Sequence, residues 1–218
     1  MKSSVYSSVS EAVMAARGAF GRYSELTLNE RNEILEAVRT AVRPKIAELA
    51  EMTVAETGMG NVADKIEKLK LAVEKTPGIE DLITEVNTGD HGMTLYELSA
   101  FGVICAVHPC TNPCATLISN TIGMLAAGNS VVHCPHPRAV RVSQYLTDHQ
   151  RCSKKYLRDR QSGCDSQRSL MGSTKEIMSH PDIDLIVCTG GAGSLRSGNV
   201  LREKGYWGRT CKSCSDRR

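Results

Sequence analysis

No apolar run among the 218 residues approaches the roughly 18 to 20 that a membrane-spanning helix requires. The opening Met1-Lys2-Ser3-Ser4-Val5-Tyr6 lacks the apolar centre of a secretory signal, so the expected location is the cytoplasm. Metal-site spacing is missing too. Cys110-x3-Cys114 and Cys211-x2-Cys214 have no second ligand pair at finger-like distance, and no metal is expected. The nine cysteines are scattered and odd in number, and without an export signal reduced thiols are expected. No G-x-G-x-x-G follows the first strand-like apolar run, which counts against a standard Rossmann pyrophosphate loop.

What is present is an ordinary globular composition. Hydrophobic residues make up 41% and charged residues 23%, enough for a good core in a chain between one large domain and two small ones. The net charge of +3 is unevenly placed, because Lys and Arg crowd into residues 151–168 and 196–218. The aromatics within those stretches are only Tyr156, Tyr206 and Trp207. Without basic and aromatic residues interleaved, a solvated loop or disordered tail is expected and a nucleic-acid partner is not.

Thr27-Leu28-Asn29-Glu30 has the pattern of a capping box, so a helix should start there. Ile34, Leu35, Val38, Val42, Ile46 and Leu49 recur at the spacing of one buried helical face. Pro44 divides that stretch into two helices. Thr57-Gly58-Met59-Gly60 is a stop, and Ala63 to Lys75 reads as a further amphipathic helix ending at Thr76-Pro77-Gly78. From Ile83 the period changes. Ile83–Val86 and Thr94–Leu98 alternate like the arms of a hairpin turning at Thr88-Gly89-Asp90. Three short apolar runs follow, Gly102–Val107, Ser130–His133 and Asp184–Cys188, with a helical pattern over Ala115–Ala127 between the first two. Strand and helix alternating at this spacing predict a doubly wound α/β fold with a parallel sheet, whose ligands sit at the carboxyl ends of the strands.

Three loops leave those ends: His108-Pro109-Cys110-Thr111-Asn112-Pro113, Cys134-Pro135-His136-Pro137 and Thr189-Gly190-Gly191-Ala192-Gly193. The glycines of the third leave room for backbone amides to approach a phosphate. His136, rigid between two prolines, is either a contact to a nucleotide ribose or base, or a turn residue with no function. Cys105, Cys114 and Cys188 lie in or beside apolar runs and read as small buried hydrophobes. Cys110 alone of these four stands on a candidate ligand loop, and nothing in its neighbourhood identifies it as a nucleophile beyond a following helix start.

The stretches Phe101-Gly-Val-Ile-Cys-Ala-Val-His-Pro-Cys-Thr-Asn-Pro113 and Ala127-Gly-Asn-Ser-Val-Val-His-Cys-Pro-His-Pro-Arg138 resemble the CoA-acylating aldehyde dehydrogenases of the bacterial microcompartment type. Glu56-Thr-Gly-Met-Gly60, Thr76-Pro-Gly-Ile-Glu-Asp-Leu82 and Leu95-Tyr-Glu-Leu98 extend the likeness over about residues 10–148. A Pro-His-Pro turn in place of Lys-Pro-Ser marks the acylating branch. The resemblance implies that a cysteine thiolate attacks a short aldehyde, acetaldehyde or propionaldehyde, that hydride passes to NAD, and that coenzyme A takes the acyl group. It places Thr111 and Asn112 at the turn beside the nicotinamide and the developing oxyanion, leaving open which of the two acts. It assigns cofactor contacts to Pro109, Cys110, Pro135, His136, Thr189, Gly190, Gly191 and Gly193. It also implies a homo-oligomer, with location in a microcompartment as one outcome.

The sequence departs from this pattern in two places. Residues 150–169 are polar and aperiodic where the family has a helix and third strand, and the likeness is lost again after Gly193. No residue matches the motif of the catalytic cysteine. A reading frame that shifts near 149, returns near 171 and shifts again near 194 accounts for this pattern. The expected organisation is a helical segment over 1–82, a hairpin of the oligomerisation region over 83–100, an incomplete nucleotide-binding domain over 101–193 with 149–170 aberrant, and a disordered basic tail over 194–218. The alternatives to the enzyme are a non-catalytic nucleotide-binding or assembly fragment and a remnant without function.

Overall fold

The computed structural model describes Tyr6 and residues 8–151, 164–166 and 171–190. Helices α1 (Val9–Tyr23), α2 (Leu28–Val42), α3 (Ile46–Thr57) and α4 (Val62–Lys75) come first. The Thr27 capping box forms in full: the Glu30 amide donates to the Thr27 hydroxyl, and the Thr27 amide donates to the Glu30 carboxylate at 3.0 Å. Pro44 sits in a single 3-10 turn, Arg43–Lys45, that separates α2 from α3. The hairpin strands β1 (Glu85–Gly89) and β2 (Gly92–Tyr96) pair antiparallel, with Gly89 opposite Gly92. Its turn is therefore Asp90-His91, one to two residues beyond the expected position.

The sheet that follows is built from β3 (Val103–Val107), β4 (Ser130–Cys134), β5 (Cys164–Ser166) and β6 (Leu185–Cys188), all parallel, in the order β5-β4-β3-β6. Strand β5 corrects one expectation. The aperiodic segment after His149 does hold a third strand, with Cys164 opposite Val131. It is short and is held by the backbone ladder, which is why no apolar run announces it. The helix before it, α6 (Val140–Arg151), likewise runs past the point where the periodic pattern fades, and Gln150 is 1% exposed rather than solvated. The expectations for the rest of 152–170 and for the tail 194–218 fall outside the described residues.

Both faces of the sheet are covered, as a parallel sheet demands. On one side Val103, Cys105, Val132, Cys134 and Ile186 pack against Val9, Ala12, Val13 and Ala16 of α1 and Ile177 and Met178 of α7 (Met171–Met178). On the other, Ile104, Ala106, Val131 and Leu185 meet Met124 of α5 (Pro113–Ala126). Helices α5 and α6 share a second core with α2, α3 and α4, built on Leu35, Leu49, Leu69, Leu117, Ile122 and Leu146. This layering brings the α3–α4 connection up to the sheet's carboxyl edge.

Two arginines fix the joints, one at the surface and one in the interior. Arg17 reaches from α1 to Asp184 at 2.9 Å, and Asp184 in turn accepts from the Val103 amide at 2.7 Å. Arg39, 7% exposed, donates to the carbonyls of Val73 and Thr76 at the carboxyl end of α4. Those carbonyls have no partner within the helix, so a buried cation there meets a real need.

Candidate functional site

Strand β3 is bonded at its carboxyl end to both neighbours. The His108 amide donates to the Cys134 carbonyl at 3.0 Å, and the Thr189 amide donates to the Val107 carbonyl at 3.0 Å. The three loops singled out from the sequence therefore leave the sheet side by side. Gly191 and Gly193 lie outside the described residues; Thr189 and Gly190 are exposed at the end of β6.

Around the first loop the α3–α4 connection closes in. Cys110 is half-buried, with its Sγ 3.9 Å from Met59 Sδ. Thr111 is exposed, and its carbonyl accepts from Lys65 Nζ. Asn112 is the residue at the head of α5, but its side chain makes no bond to the helix amides. Its Oδ1 accepts instead from Lys65 Nζ at 3.0 Å. Lys65 is only 7% exposed, and desolvation, with the like charge of Lys68 added, pulls its ammonium below the ordinary lysine value of 10.5. Gly60 makes this approach possible. Its φ is +79°, and a Cβ there would stand 3.1 Å from Lys65 Cε. Thr53, Lys68, Leu69 and Pro113 line the cleft beside Lys65 and Asn112.

In the second loop Pro135 is buried and His136 half-buried. His136 Nδ1 accepts from the Arg138 amide at 3.1 Å, so the neutral ring carries its proton at Nε2. Arg138 donates to the Thr57 carbonyl at 2.8 Å, which ties this turn to the end of α3. Glu56 caps α6 across space, its two oxygens accepting from the Arg141 and Val142 amides at 2.8 Å each. Pro109 is half-buried in the first loop and has no hydrogen to donate.

Behind the loops lies a polar chain in the core. His108 Nε2 and His133 Nδ1 are 2.8 Å apart, and His133 Nε2 is 3.2 Å from the Thr121 hydroxyl. The Thr121 hydroxyl donates to the Leu117 carbonyl at 2.8 Å. Running the donors in one direction leaves His108 Nδ1 as a bare acceptor, and that atom has no partner among the described residues. The reverse direction would strand an N–H, which interiors tolerate less well.

Cys105, Cys114 and Cys188 are poor nucleophiles. Burial pushes the Cys114 thiol up to about 12. Cys105 is raised by its hydrogen bond with Cys134 and by burial, and burial also raises Cys188. Cys114 Sγ meets the Thr53 hydroxyl, Cys105 Sγ meets Cys134 Sγ and Cys110 Sγ meets Met59 Sδ, and among the described residues no cluster of three His, Cys, Asp or Glu forms a metal site. No described helix is long and apolar enough to cross a membrane.

The sequence profile described as the aldehyde dehydrogenase family matches residues 1–197. The chain belongs to this family. It is 45% identical over 202 residues to a propanal dehydrogenase (CoA-propanoylating) of Citrobacter freundii, covering 89% of this chain and 42% of that protein. A Rhodopseudomonas palustris propionaldehyde dehydrogenase, solved with bound CoA and an acylated cysteine, superposes with a TM-score of 0.87 at 37% identity, over 95% of this chain and 48% of that one. A propionaldehyde dehydrogenase from the fucose utilisation microcompartment of Clostridium phytofermentans gives 0.88 at 40%, over 95% and 47%. The resemblance read from the sequence and the α/β class are thereby established, and the chain spans less than half the length of each of these relatives.

Sequence reasoning missed Lys65 and Glu56 as parts of the site. Lys65 had a signal. It stands at the spacing of Leu69, Ala72 and Val73, the buried stripe of α4, where a solvated lysine does not belong.

Proposed function

We propose that this chain supplies the nucleotide-binding edge and the oxyanion-stabilising turn for NAD-dependent, CoA-acylating oxidation of a short aldehyde such as acetaldehyde or propionaldehyde. The observation that carries the reading is the pair of backbone bonds that set the His108–Asn112, Pro135–His136 and Thr189–Gly190 loops side by side at one sheet edge. The side chains there suit a dinucleotide. His136 presents an Nε2 donor from a proline-braced turn, and the exposed Thr189-Gly190 end leaves a backbone free of bulk where a pyrophosphate needs close approach. NAD supplies the hydride acceptor. Asn112, whose Oδ1 is engaged by Lys65, keeps its Nδ2 hydrogens for an oxygen that gains negative charge, and the Thr111 amide lies next to it.

Thiol chemistry requires a cysteine other than Cys105, Cys114 or Cys188, whose thiolates are disfavoured. The reading therefore expects the purified chain to bind NAD and CoA without forming NADH from propionaldehyde plus CoA. Turnover would make Cys110, the cysteine on the first loop, the first residue to replace, with Cys110→Ser expected to abolish it. Failure of a folded chain to bind either cofactor would remove the nucleotide-binding reading.

The hairpin favours a second copy as partner. All ten of its strand residues are exposed, and one face carries Val86, Met93 and Leu95. A lone two-stranded ribbon gains little stability in water, so an apolar face of this kind calls for cover. Sedimentation of the chain and of a Met93→Lys, Leu95→Lys double variant tests this, with the assembly expected for the first and monomer for the second. Work inside a microcompartment, as for the fucose-utilisation relative, follows as part of the proposal and is read by co-purification with shell proteins.

A further inference from the structure

We infer that Lys65 is the positioning residue for Asn112, fixing which way its side-chain amide faces. This rests on the reading of Asn112 as an oxyanion donor. An asparagine at the head of a helix ordinarily turns its oxygen onto the helix amides. Here α5 has no such cap, and the oxygen is taken by an ammonium from another helix. A cation can only donate, so it accepts no arrangement in which Nδ2 faces it. The amide flip, otherwise nearly degenerate, is decided, and both Nδ2 hydrogens point away from Lys65.

Two further features show that the contact is built. Lys65 Nζ also binds the Thr111 carbonyl, so it clamps the backbone of the same turn. Gly60 passes under the lysine stem in a left-handed conformation that leaves the stem just enough room. The cation also polarises the amide it grips, which makes the remaining N–H groups stronger donors. Lys65 acts through the Asn112 oxygen and the Thr111 carbonyl that it holds, which makes it a positioning residue and not a catalytic one.

The experiment follows the Asn112 side-chain amide by 1H–15N NMR in the full chain, in Lys65→Met and in Lys65→Arg, with propionate added as the oxygen-anion probe. In the unaltered chain one sharp pair of Nδ2 signals is expected, moving with pH as Lys65 titrates below its ordinary range and shifting with propionate. In Lys65→Met the signals should average between orientations, lose that pH response, and propionate should bind about five- to tenfold more weakly. Lys65→Arg, which keeps a buried cation, should restore most of the signal pattern, separating positioning from loss of fold. An Asn112 amide that is equally fixed, with equal propionate affinity, in the folded methionine variant overturns the inference. A fixed amide in the unaltered chain that ignores propionate leaves Lys65 as its positioner and overturns the oxyanion reading of Asn112 instead.

Discussion

His108 Nε2 stands 2.8 Å from His133 Nδ1 inside the protein, and both rings are almost wholly buried. Desolvation lowers His108 to about 3, and desolvation with the neighbouring ring pulls His133 well below the ordinary 6.5. Both imidazoles are therefore neutral in the folded chain and take up protons once unfolded. The unfolded state binds more protons below pH 6.5, so stability is full above that value and falls as the pH drops, until His108 itself protonates near 3. The slope is about 1.4 kcal/mol per pH unit for each histidine. Urea unfolding between about pH 7.5 and pH 5 should show a falling midpoint. A constant midpoint would remove the neutral pair from the account.

Glu56 does for α6 what a local cap normally does, from a helix 85 residues earlier in the chain. Replacing it with alanine frees the Arg141 and Val142 amides and loosens the packing of α3 on α6. A loss of about 1–2 kcal/mol is expected. Glutamine keeps one acceptor oxygen and should lose less. Equal stability of Glu56→Ala and the unaltered chain in a denaturant titration would show that water replaces the carboxylate at no cost.

Arg39→Met leaves the carbonyls of Val73 and Thr76 without their donor in the interior. Charged hydrogen bonds of this kind contribute enough that a loss of about 2–3 kcal/mol is expected. Arg39→Lys should recover only part of it, because a single ammonium does not span two carbonyls as the guanidinium fork does. Thermal unfolding of the three proteins orders them; a lysine variant as stable as the arginine protein contradicts the bridging role.

The legible parts of the fold were those whose signal is local. Thr27 and Glu30 lie three residues apart and announce their helix, and Val103–Val107, Ser130–Cys134 and Leu185–Cys188 are apolar because both faces of this parallel sheet are covered. Helix α1 was not singled out, since its buried face is mostly small, with Ala12 and Ala16 against the sheet and Ala19 also buried, and alanine gives a weak periodic signal. Strand β5 was missed because three residues supply no pattern at all. The site divides in the same way. Its loops follow from strand ends, but Lys65 meets Asn112 across 47 residues of sequence, and only its place on a buried stripe hinted at that contact.

Calorimetric titration with NAD reads out whether the carboxyl edge of this sheet holds a dinucleotide. The unaltered chain should bind NAD, His136→Ala should bind it about five- to tenfold more weakly through loss of the Nε2 donor, and Glu11→Gln, on the exposed start of α1, should match the unaltered chain. A folded chain that takes up no NAD, or a His136→Ala variant that binds it as tightly as the unaltered chain, would contradict the placement of the nucleotide at this edge.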